Sequence, residues 1–238
     1  MAQSRDLRRS ALRSILASGA CAVAALVAGR AWLAPGTVSV AVALVLFAAL
    51  VLLLLAGLRW HPYRRFGIAN QVTLLRAELV ILLAAFAAAA IDPRLPAIAT
   101  AIATFAALLD AMDGWLARRS GMIGHYGARF DMETDAALIL VLSVLAWRFG
   151  KAGPWICVAG LLRYLFVVAG WRLAWLRAEL PPRRRRQAIA VIQTTGLIVA
   201  IAPFVAAAFS RVLLAACLAC LVMSFYIDVL WLARRRRA

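Results

Sequence analysis

Apolar runs of about twenty residues follow one another along this chain, separated by short polar connectors. Each is long enough to cross a hydrocarbon layer about 30 Å thick. Inside such a layer the chain must pair its own backbone amides and carbonyls, which leaves helices or closed barrels. The runs are continuous and lack period-two alternation, so they predict helices. Eight spans are expected, at roughly 15–33, 37–58, 72–91, 95–117, 128–147, 153–176, 187–209 and 212–232. Pro35-Gly36, Asp92-Pro93, Gly150 to Pro154 and Pro181-Pro182 interrupt them. Short connectors make neighbouring helices antiparallel, so the expected fold is an all-α integral membrane bundle. Hydrophobic residues make up 66% of the 238 and mean hydropathy is +0.90, which excludes an ordinary soluble domain.

The net charge of +17 raises the question of nucleic acid. Its distribution answers it. Of 27 basic residues, 18 fall in alternate connectors and the two tails: Arg5 to Arg13, Arg59 to Arg65, Arg118-Arg119, Arg177 with Arg183 to Arg186, and Arg234 to Arg237. Five lie at the opposite ends and four within spans. This asymmetry predicts eight crossings with both tails in the cytoplasm. No basic motif interleaved with aromatics supports nucleic-acid binding, and none is expected. Residues 1–14 followed by the run 15–33 could be a signal peptide. That run exceeds the 7–15 residues of a signal core, and no convincing A-x-A site precedes another long span, so two retained helices are expected.

Only ten residues are acidic, and four of them, Asp110, Asp113, Asp131 and Asp135, crowd into one stretch. A carboxylate near the apolar layer costs about 2.5–3.5 kcal/mol by insertion scales, so four require water or cations. Asp110 and Asp113 are i,i+3 on one helix, and Asp131 and Asp135 are i,i+4 on the next, so each pair shares a face. Hard oxygen ligands of this kind suit Mg²⁺, Mn²⁺ or Ca²⁺. Small residues at Gly114, Ala117 and Gly127 leave room for a ligand or let helices approach closely. Arg118 adds a forked donor suited to phosphate. The pattern D-x2-D-G-x2-A-R-x8-G-x3-D-x3-D has a chance frequency on the order of 10⁻⁹ to 10⁻¹⁰ per start.

With these eight positions the chain resembles the CDP-alcohol phosphotransferase family of membrane enzymes, and the resemblance covers roughly residues 66–232. It implies transfer of a substituted phosphoryl group from a CDP-linked donor to an alcohol, with release of CMP. It also implies two divalent cations, Mg²⁺ or Mn²⁺, held by Asp110, Asp113, Asp131 and Asp135, with Asp135 as candidate general base. Gly114, Ala117, Arg118 and Gly127 resemble the donor-binding part. Asn70, Thr73 and Arg76 are similar to the opening of the family's first core helix, which helps to bind the cytidine nucleotide. The expected organisation is a basic tail with two accessory helices over 1–62, then a six-helix catalytic core over 63–238.

The remaining polar residues are weighed against the membrane. Arg163 lies too deep for easy snorkelling and is expected to face a substrate phosphate, the alternative being an ion pair with Asp228 or Glu78. Arg183, Arg184, Arg185 and Arg186 read first as a headgroup anchor, with one member able to hold a phosphorylated acceptor. Gln193, Thr194 and Thr195 are expected to bond between helices. Glu133 lies about 100° round its helix from its neighbours and is left out of the metal set. Cys217-x2-Cys220 has redox or zinc spacing, but its apolar helix has no histidine nearby, so core packing is expected. His61 and His125 read as solvated turn residues.

Together these point to a phospholipid-synthesis enzyme of a bacterial inner membrane with a cytoplasmic site. Its expected partners are CDP-diacylglycerol, a small alcohol and membrane lipids, with a homodimer as a further expectation. The basic residues favour a phosphorylated acceptor such as glycerol 3-phosphate. One rival is an aminoalcohol phosphotransferase acting on diacylglycerol. The other is a non-enzymatic cation transporter, which would place polar or broken helices near the midplane.

Overall fold

A computed structural model describes residues 7, 9–19, 36–58, 66–120, 125–178 and 184–237, without the side chains of 113–120, 125, 236 and 237. Among these residues there are eight α-helices and no strand. They are α1 (residues 9–19), α2 (Thr37–Gly57), α3 (Ile68–Ala88), α4 (Leu95–Ser120), α5 (His125–Arg148), α6 (Cys157–Arg172), α7 (Arg184–Ile201) and α8 (Ala207–Arg237). Within α2, α3, α4, α6 (from Pro154) and α8 there is apolar sequence long enough to cross a membrane. The chain is an all-α integral membrane protein. Two further expected spans fall on α5 and α7, which are helices but are not apolar enough over a spanning length, because they carry charges: Asp131, Glu133 and Asp135 in one, Arg184 to Arg186 in the other. The first expected span lies largely outside the described residues.

Two compact units divide the chain, Met1–Asp135 and Ala136–Ala238, with the division inside α5. In the first, α3 packs against both α2 and α4. The helix α1 begins within the basic segment rather than after it. Leu7, Ala11 and Ile15, one turn apart, are buried, while Arg9 and Arg13 are exposed. That buried stripe joins Leu54 and Leu58 at the end of α2 with Phe66 and Leu74 at the start of α3. Tyr126 and Phe130 of α5 pack against the same cluster. Helix α3 starts four residues earlier than expected, directly after Gly67, whose φ of 80° is a backbone conformation that glycine adopts freely. Asp92 starts α4, accepting from the Arg94 amide at 2.7 Å with its side chain.

The second unit is built on α7 packed against α8, with α6 also touching α8. Helix α5 ends in a Schellman turn: Gly150 takes φ 69°, and the Lys151 amide donates to Ala146 O at 2.9 Å. Lys151, the only lysine, then reaches across to cap the end of α7. Its Nζ donates to Ala202 O at 2.9 Å and also to Val205 O. Helix α7 stops at Ile201 rather than near 209, because Pro203 lacks an amide and disfavours helix at the residue before it. Of the cysteine pair, Cys217 is buried against Gly196 and Cys220 is exposed, and both are free. Gln193 is fully buried, yet neither amide atom finds a hydrogen-bond partner among the described residues, unlike the interhelical role expected of it.

The tightest crossing is at Gly160, where an added Cβ would lie 2.3 Å from the Leu140 Cα. Backbone cannot yield there as a side chain does. Gly160→Leu should therefore lower stability by about 1–3 kcal/mol or more, read as a fall in the melting temperature in detergent. An unchanged melting temperature would contradict this close approach.

Candidate functional site

Three helices of the first unit bring the site together. Helix α3 contributes Arg76, α4 contributes Asp110, and the first turns of α5 contribute Asp131 and Asp135. The i,i+4 spacing puts the last two on one face, and the apolar cluster beneath Tyr126 and Phe130 fixes where that face begins. One ligand atom from each of Asp110, Asp131 and Asp135 lies within 4.8 Å of the others. All three side chains are partly exposed, at 37–38%. The backbone of Asp113 belongs to the same helix as Asp110, one turn on; its side chain lies outside the described residues, as do those of Gly114, Ala117 and Arg118.

Arg76 stands among the carboxylates, only 1% exposed. Its Nη1 lies 2.8 Å from Oδ1 of Asp110 and donates to Oδ1 of Asp131 at 2.5 Å. Its Nη2 donates to Oδ1 of Asp135. A buried guanidinium needs such partners, because its charge cannot be removed by deprotonation. Its place beside the aspartates is not what the nucleotide-binding resemblance alone suggested. The available signal was its position as one of four basic residues inside a span, level with the only acidic cluster.

Thr73 and Asn70 lie one and two turns before Arg76 on the same helix. Asn70 Nδ2 donates to Phe66 O at 2.5 Å, and its Oδ1 lies against Gly127, where a Cβ would come within 2.8 Å. At this position, then, the missing side chain serves close approach of α5 to Asn70. Thr73 is buried and donates its hydroxyl to Ala69 O at 3.1 Å. Glu133, set aside from the metal group, is not among the converging carboxylates.

The other candidate cations belong to the second unit. Arg163 is half-buried in α6. Arg185 donates from Nη2 to Oδ1 of Asp228 at 2.6 Å and from Nη1 to Ser224 O at 3.2 Å. Arg186 Nε stands 3.9 Å from the other Asp228 oxygen. Asp228, one of the two partners expected as alternatives for Arg163, is thus engaged by the α7 arginines. Arg183 and His61 lie outside the described residues, as does the His125 side chain.

A divalent cation fits this donor set. Three hard carboxylate oxygens converge from two helices and remain open to solvent, with one guanidinium to limit their mutual repulsion. The family model for CDP-alcohol phosphatidyltransferase matches residues 66–226, more than half of the chain. The protein belongs to that family. It is therefore a membrane transferase acting on substituted phosphate groups, within phospholipid synthesis. No curated protein and no solved structure matched the chain.

Gly127→Ala tests the contact with Asn70. The clash is with the far end of a flexible side chain, so the melting temperature should change by no more than about 1 kcal/mol implies. Binding of a CDP nucleotide, measured by calorimetry, should weaken as the Asn70 amide is displaced. Unchanged binding would separate Asn70 from the nucleotide.

Proposed function

We propose that the protein transfers the phosphatidyl group of CDP-diacylglycerol to a phosphorylated alcohol such as glycerol 3-phosphate, releasing CMP. The observation that carries the cation-dependent part is the convergence of Asp110, Asp131 and Asp135 within 4.8 Å. In this reading those residues and Asp113 hold two divalent cations, Mg²⁺ or Mn²⁺. When bound, such ions supply charge stabilisation at the diphosphate and at the departing CMP.

The chain's own residues do the rest. Asp135 accepts the proton of the acceptor hydroxyl. The freed oxygen forms a bond to the phosphorus of the phosphatidyl group, and the bond from that phosphorus to the CMP oxygen breaks, CMP keeping the electron pair. Asn70, Thr73, Gly114, Ala117, Arg118 and Gly127 hold the CDP portion. A phosphorylated acceptor is supported by the concentration of cations at Arg163 and at Arg183 to Arg186. Asp228 already engages Arg185 in this cluster. Positioning and charge stabilisation supply most of the rate enhancement in chemistry of this type.

The basic residues in alternate connectors and both tails support a cytoplasmic site in a bacterial inner membrane. A homodimer and the division into accessory helices over 1–62 and a catalytic core over 63–238 complete the proposal.

Membranes incubated with labelled CDP-diacylglycerol, Mg²⁺ or Mn²⁺, and a panel of alcohols should yield CMP and a new phospholipid, most rapidly with glycerol 3-phosphate. Product from choline, serine, inositol or inositol phosphate but none from glycerol 3-phosphate would move the acceptor assignment. A chelator should abolish turnover. Asp135→Asn should lower it about 10²–10⁴-fold with membrane insertion intact. Full activity in chelator, or in Asp135→Asn, would remove the mechanism.

A further inference from the structure

Arg76 makes contact with an oxygen of each converging carboxylate. Nη1 serves Oδ1 of both Asp110 and Asp131, at 2.8 and 2.5 Å, and Nη2 serves Oδ1 of Asp135. A six-coordinate ion with ligands at about 2.1 Å needs adjacent oxygens roughly 3 Å apart. The ligand atoms here lie within 4.8 Å of one another, close enough for an ion, but the planar Arg76 fork already contacts an oxygen of each. Closing the carboxylates around an ion requires the fork to yield. Charge points the same way. Asp110, Asp113, Asp131 and Asp135 together carry −4, which the two divalent cations proposed above cancel; a guanidinium kept at the same oxygens would leave excess positive charge and repel them. Arg76 cannot relieve that repulsion by losing its proton. Its long side chain can relieve it by turning, and α3 carries Asn70 and Thr73 on the preceding two turns.

We infer that Arg76 is an exchange latch: it competes with divalent cations for Asp110, Asp131 and Asp135, and when displaced it turns to the anionic diphosphate of the donor. Cation and donor then bind cooperatively, each favouring the arrangement the other needs. Displacement also frees the Asp135 oxygen that Arg76 engages, so the base is released only when substrate and ion are both in place. Arg76 is thus a positioning residue for the aspartates, besides any contact with the nucleotide. The inference rests on the cation-dependent transfer proposed above.

Manganese binding to the purified full chain tests it, read from the free-Mn²⁺ resonance signal with and without CDP-diacylglycerol and with no alcohol present. In the unmodified protein the donor should tighten Mn²⁺ binding about tenfold, which corresponds to about 1.4 kcal/mol of coupling. Arg76→Gln should bind Mn²⁺ about tenfold more tightly than the unmodified protein without donor, and lose most of the donor's effect. Arg76→Lys, a single point charge that cannot bridge three carboxylates, should fall between them and decides the matter if the glutamine variant does not fold. Equal or weaker Mn²⁺ affinity in the variants would make Arg76 an orienter of the ligands and overturn the latch, as would a donor without effect on the unmodified protein. A folded, unmodified protein that binds no Mn²⁺ would instead remove the cation-dependent reading itself.

Discussion

One guanidinium among three carboxylates, at the ends of otherwise apolar helices, is the interaction on which the site depends. Neither partner is tolerable alone. An unpaired arginine at 1% exposure would carry a desolvation cost of several kcal/mol, and the clustered aspartates would repel one another. Together they draw α3, α4 and α5 to one point. The apolar cluster of Leu7, Ala11, Ile15, Leu54, Leu58, Phe66 and Leu74 supports this from the side, because Tyr126 and Phe130 of α5 rest on it. The first two helices pack at the starts of two helices that carry site residues.

The electrostatic balance also bears on how such a site can be both stable and reactive. A pair this well satisfied would be inert if it were permanent. Asp135, the candidate base, has its oxygen engaged by Arg76. A base in use must be free of both guanidinium and full cation coordination. In the proposed mechanism the arrangement is a resting condition from which binding energy of substrate and ion releases the working groups, a familiar use of binding energy in catalysis.

Much of this was legible in the sequence, for reasons that differ from element to element. The helices were readable because twenty apolar residues in lipid have few alternatives, and the aspartates because their spacing repeats helical geometry. Boundaries were less so. Pro203 ended α7 early, α3 began early after Gly67, and α1 begins at residues whose arginines mask the buried period of Leu7, Ala11 and Ile15. The Arg76 contacts depend on which helices become neighbours, and no spacing along one helix encodes that. The Arg185–Asp228 pair was missed likewise: 43 positions separate the partners, and Arg163 offered an equally plausible partner on paper.

The most direct measurement is the anomalous scattering of Mn²⁺ in crystals of the full chain grown with Mn²⁺ and CDP. Manganese peaks at about 2.1–2.3 Å from oxygens of Asp110, Asp131 and their neighbours, with the Arg76 guanidinium turned away from them, are the result expected of the latch. Manganese found elsewhere, beside aspartates that still enclose Arg76, would contradict it.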